Sequence, residues 1–118
     1  MSTPTSLELA QAIARAAEDS KAENIVIYDL RDISSLTDYV VVCNGLSITH
    51  LRAVIRDVES KVEEEVGVSP VYSEHKAASL WTVLDYINVM FHVLTPETRE
   101  NYQLDKLWSK GHIVAPQA

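Results

Sequence analysis

The stretch from Leu80 to Leu94 is apolar on both of its faces. In an extended chain successive side chains point to opposite sides, so Trp81 and Val83 share one face while Leu80, Leu84 and Tyr86 share the other. Ile87-Asn88 divides the stretch, and Asn88 tolerates the left-handed backbone that a tight hairpin demands. Periodicity alone allows two outcomes for such a hairpin. Both faces lie in one core, or one face stays uncovered as an interaction surface.

The rest of the chain supplies the partners of this hairpin. Tyr39-Val40-Val41-Val42-Cys43 reads as a strand with no polar side chain before Asn44, and Asn24 to Leu30 as another, mostly buried. Residues 5–20 show helical spacing in Leu9, Ile13, Ala16 and Ala17, behind a capping box of Thr5 and Glu8. Ser47 caps a second helix with Leu51, Ile55, Val58 and Val62 on its inner face, and Gly67 stops it. Val68 to Ser73 is expected at a sheet edge, because Pro70 cannot sit in a central strand. Glu74 to Ser79 reads as a polar loop. Thr95-Pro96 opens a last helix that runs to about Trp108. The expected fold is α/β (α+β): a mixed sheet of about five strands with three packed helices, an early strand–helix crossover and a late hairpin. Three helices are few for covering both faces of such a sheet.

The chain of 118 residues suits a single domain over 1–118, with its core at about 7–110 and short flexible termini. No apolar run approaches the ~18 residues of a membrane span, and the first residues carry no secretory pattern. Cys43 is the only cysteine, which fits a reducing compartment. Ten basic against 17 acidic residues give a formal net charge of −7. A phosphate-driven nucleic-acid binder needs the opposite balance, whereas a basic protein partner suits this one.

Candidate chemistry is sparse. Gly45-Leu46-Ser47 holds one glycine, far short of a phosphate-cradling loop, and Ser47 serves there as a cap. His50, His75, His92 and His112 lack any metal-ligand spacing. Cys43 ends an apolar strand and fits a buried small hydrophobe. Asp29 and Asp38 flank a loop at strand ends, where α/β enzymes place functional groups, though Asp38 equally caps a turn. No catalytic residue, cofactor or metal is therefore expected. Trp81 and Trp108 are candidates for binding anchors or for the core.

Several segments together resemble a known family. Ala22-Glu23-Asn24-Ile25-Val26, Ser34-Ser35-Leu36-Thr37-Asp38-Tyr39-Val40-Val41-Val42, Trp81-Thr82-Val83-Leu84-Asp85-Tyr86, Val89-Met90-Phe91-His92-Val93 and Glu97-Thr98-Arg99-Glu100-Asn101-Tyr102-Gln103-Leu104-Asp105-Lys106-Leu107-Trp108 follow in order over about residues 7–110. This pattern is similar to the ribosomal silencing factor family (RsfS, or Iojap-related). The resemblance implies a cytoplasmic, non-enzymatic factor on a nucleotidyltransferase-like core without the catalytic motif. It implies binding to the fourteenth protein of the large ribosomal subunit, a block on small-subunit joining, and repressed translation under nutrient limitation. Organelle relatives assist large-subunit assembly, and free members often form homodimers. No direct nucleic-acid specificity and no membrane binding are implied. Trp81, Leu84, Tyr86 and His92 are the expected partner-binding residues, with Asp38 and Tyr39 secondary. Two departures stand out: His75 replaces a usual glycine, and Ile87-Asn88 replaces a usual Gly-Asp. Two rivals are a nucleotidyltransferase using Asp29 or Asp38 with a metal, and an assembly factor without silencing activity.

Overall fold

Local chemistry sets the helix ends. The structure, a computed structural model, describes residues 3–74 and 80–114. Thr5 accepts from the Glu8 backbone N–H and Glu8 reaches back to the Thr5 N–H, so the expected capping box opens α1 (Ser6–Asp19). Ser47 caps α2 (Ile48–Val66), which Gly67 ends with a left-handed φ of 73°. Thr95 caps α3 (Pro96–Asn101), with the proline in its first turn.

The strands are β1 (Glu23–Asp29), β2 (Tyr39–Asn44), β3 (Tyr72–Ser73), β4 (Trp81–Asp85), β5 (Val89–Leu94) and β6 (His112–Val114). They form one sheet in the order β3-β4-β5-β2-β1-β6. β2 and β5 pair in parallel at its centre, and every other pairing is antiparallel. The mixed α+β sheet agrees with the sequence, but the described residues form six strands and four helices rather than about five and three. β6 is one addition. It reaches β1 through Gly111, where a Cβ would stand 2.7 Å from the Asp29 carbonyl oxygen. The other change is a break in the last helix. Gln103 turns left-handed (φ 51°), and α4 (Leu104–Leu107) starts anew behind it. The loop expected at Glu74 to Ser79 lies, apart from Glu74, outside the described residues, as does His75.

The alternation of β2 and β5 divides the core in two. Tyr39, Val41 and Cys43, with Val89, Phe91 and Val93, face α1 and α2 in the larger apolar cluster. Val40, Val42, Leu94 and the partly buried Met90 face the other way, against Leu30, Leu104 and Trp108.

Candidate protein-docking face

The second sheet face is held by a partly buried polar clamp centred on the buried Arg99. Arg99 forks onto Asp105, with Nε to Oδ2 at 2.7 Å and Nη2 to Oδ1 at 2.8 Å. Its Nη1 donates to the Asn24 carbonyl at 2.8 Å and to Asn44 Oδ1 at 2.9 Å. The Tyr28 hydroxyl donates to Asp105 at 2.5 Å. Asn24 sits left-handed (φ 51°) in a register irregularity of β1, which aims its carbonyl at the guanidinium. The clamp thereby joins α3, α4, β1 and β2. The bidentate Arg99 holds the Asp105 carboxyl below the usual carboxylate range. Burial, then the bond to Asp105, pushes the Tyr28 phenol up to about 12.

Beside the clamp lies an aromatic row. The Trp81 Nε1–H donates to His92 Nδ1 at 3.0 Å, which leaves Nε2 to carry the proton of the neutral imidazole. The His92 ring stands 5.9 Å from Trp81 and 5.3 Å from Trp108, and Trp81 stands 5.3 Å from Tyr102. Burial pushes the His92 pKa down to about 4.

His92 and Trp108 also line a cleft of about 660 Å³. The remaining lining is largely apolar: Leu30, Val40 and Met90 inside, with Ile33, Leu36, Ile87 and Leu107 on the rim. Those four rim residues are exposed by 50%, 88%, 59% and 69%. Two clefts of similar size have more polar linings, one with Glu63, Glu64, Glu65 and Arg15, the other with Arg99 and Asp105 of the clamp. The rim is a built structure. Leu30 N–H bonds the Asp38 carbonyl at 2.8 Å, and the Thr37 hydroxyl bonds the Asn88 carbonyl at 3.0 Å, so the loop after β1 is tied to the β4–β5 hairpin.

The expected partner residues divide between the faces. Trp81 and His92 stand together beside this cleft, both partly exposed. Leu84 (0% exposed), Tyr86 (5%) and Tyr39 (2%) are buried on the opposite face under α1 and α2, so they form no common surface with Trp81. The cause is the strand's period of two, which places Leu84 and Tyr86 opposite Trp81. Asp38 lies behind the loop and accepts from the Ser6 hydroxyl at 2.8 Å. Ile33 and Leu36, each flanked by polar residues, carry a visible sign of exposure in the sequence, whereas Leu107, next to Trp108, carries none.

The groups weighed for catalysis are otherwise engaged. Arg31 forks onto Asp29, with Nε to Oδ1 at 3.0 Å and Nη2 to Oδ2 at 2.8 Å, and this lowers the Asp29 pKa. Cys43 is fully buried, and burial pushes its thiol up to about 12. Among the described residues, no cluster of three or more histidine, cysteine or acidic side chains could hold a metal ion. No described helix is long and apolar enough to cross a membrane.

Fold and cleft together define a small α+β domain that seals one sheet face with long helices and leaves the other partly open. The family model described as "Ribosomal silencing factor during starvation" matches residues 3–117, and the chain belongs to that family. It is 32% identical over 107 residues to the ribosomal silencing factor RsfS of Halalkalibacterium halodurans, covering 91% of each chain. It is also 32% identical over 90 residues to the mouse protein named "Mitochondrial assembly of ribosomal large subunit protein 1", over 75% of this chain and 40% of that one. Its fold is similar to a crystal structure from Chromobacterium violaceum, with a TM-score of 0.83 at 30% identity, covering 90% of this chain and 88% of that one.

Proposed function

We propose that this chain silences ribosomes by docking on the large subunit's fourteenth protein through the apolar cleft. There it obstructs small-subunit joining in the cytoplasm and lowers translation when nutrients are short. The observation that carries this is the ring of four exposed apolar side chains, Ile33, Leu36, Ile87 and Leu107, around a cleft floored by His92 and Trp108. Isolated exposed apolar residues are ordinary, but a contiguous exposed apolar patch marks a contact site. The formal net charge of −7 favours a basic partner, as many ribosomal proteins are, and disfavours direct reading of RNA phosphates. Such a factor acts by occupancy and requires no catalytic group. A second copy could cover the same cleft in the free protein, which would make dimerisation and docking compete.

Purified protein added to large subunits before small subunits should co-sediment with the large ones and reduce joined ribosomes. Pelleting with small subunits only, or unchanged joining at saturation, would overturn the proposal. The name of the mouse relative supports a second reading, assistance to large-subunit assembly. In that case depletion should accumulate immature large subunits, while added protein leaves joining of mature subunits unchanged.

A further inference from the structure

The tip of the β4–β5 hairpin is strained. Ile87 has φ 74°, and it is the only β-branched residue with left-handed backbone among the described residues; Lys21, Asn24 and Gln103 are the other non-glycine cases. The Asn88 N–H bonds the Tyr86 carbonyl at 2.9 Å, forming a γ-turn centred on Ile87, and the Tyr86 N–H bonds the Val89 carbonyl at 2.9 Å. Positive φ at the first position of a two-residue hairpin loop ordinarily belongs to glycine. A β-branched side chain there crowds its own backbone.

The surroundings impose this conformation. Asp85 Oδ1 accepts the Ile87 N–H at 2.7 Å. The Asn88 carbonyl accepts three donors: the Asp38 N–H at 2.8 Å, the Tyr39 N–H at 3.2 Å and the Thr37 hydroxyl at 3.0 Å. Inside the molecule the side chain gains little in return. Ile87 is 59% exposed and belongs to neither apolar cluster, yet it stands on the cleft rim.

We infer that Ile87 is a specificity-determining contact, held out by the strained turn to enter an apolar recess on a basic ribosomal protein. The inference rests on the docking function proposed above. Asp85 beneath the tip favours a cation beside that recess, in keeping with the formal net charge of −7.

Ile87→Gly and Ile87→Asn test this, because glycine and asparagine both accept left-handed backbone. Each variant is compared with the unaltered chain in thermal unfolding and in sedimentation with purified large subunits. The melting temperature should hold or rise by up to about 5 °C. Affinity for large subunits should fall by about tenfold or more. This pairing of firmer folding with weaker binding would not arise from a purely structural side chain. Unchanged affinity in both variants overturns the role of Ile87 while leaving the docking function intact. A clear drop in melting temperature overturns it too, because the side chain would then be packing within the fold. If the unaltered chain fails to bind large subunits, the docking function fails and the Ile87 contact falls with it.

Discussion

The helix face and the cleft face of the sheet carry similar apolar strands under unequal cover. α1 has 14 residues and α2 has 19, whereas α3 has 6 and α4 has 4. At about 1.5 Å per residue, the first pair supplies roughly 50 Å of helix and the second roughly 15 Å. Six strands spaced about 4.8 Å apart span roughly 24 Å between the outer two. The long helices can therefore seal their side, and the short ones leave much of theirs to loops and solvent. Compensation on the cleft face is polar. The Arg99–Asp105 clamp and the Trp81–His92 bond supplement the smaller apolar cluster there, whereas the larger cluster dominates on the helix face. The lesson is that one sheet can anchor the fold on one side and keep an adaptable surface on the other.

Truncation at the centre of the helix face should give the largest effect. Phe91 is fully buried within the larger apolar cluster. Phe91→Ala should cost about 3–5 kcal/mol of stability, a large fraction of what a domain this size possesses. Urea unfolding measures it. A loss below about 1 kcal/mol would mean that the helix face is loosely packed and that the contrast between the faces is false.

Acid should loosen the cleft face first. His92 has its pKa pushed down to about 4, against about 6.5 for an ordinary histidine. Below about pH 6.5 the unfolded chain takes up this proton while the folded chain resists until about pH 4, so stability is lost as pH falls through that window. Between pH 7 and pH 5 the loss should be about 2 kcal/mol. Comparing urea unfolding at the two pH values in the unaltered chain and in His92→Gln isolates the effect. Equal pH sensitivity in the two proteins would mean that His92 is solvated.

Much of this contrast was legible where the determinants are local. The caps at Thr5, Ser47 and Thr95 and the stop at Gly67 each depend on a few neighbouring residues, and they stand as the sequence suggests. The alternation also separates Trp81, packed against the smaller cluster, from Leu84 and Tyr86 in the larger one, while Leu80 is 46% exposed and belongs to neither. Which face the long helices take is not a local property, so the sequence alone leaves Trp81 and His92 beside Leu84 and Tyr86, although one docking surface cannot include both faces. The break at Gln103 was hidden because Leu104 and Trp108 continue a plausible helical pattern. Their place on the sheet is fixed by the contact of Asp105 with Arg99 and Tyr28. At the hairpin, asparagine is the better left-handed residue, yet Ile87 adopts that backbone because three donors hold the Asn88 carbonyl from outside the turn. β6 is too short to announce itself, and it exists because Gly111 lets the chain close on Asp29.

The smallest stability effect belongs at the rim, where the proposed docking role predicts the clearest separation of stability from binding. Leu36 is 88% exposed, and the backbone around it is fixed by bonds that do not use its side chain, such as its own N–H to Ser34 Oγ at 3.1 Å. Leu107 is 69% exposed at the end of α4. Leu36→Ser and Leu107→Ser should each change stability by less than about 0.5 kcal/mol, as for other surface substitutions. Binding to large subunits should weaken by about 1–2 kcal/mol for each, roughly 5- to 30-fold. Both side chains line the one cleft, and their losses should be close to additive if each makes its own separate contact. A double variant that binds no worse than either single one would mean that only part of the rim touches the partner. Normal binding by all three would move the docking surface away from the cleft, while a stability loss above about 1 kcal/mol would make the rim part of the core.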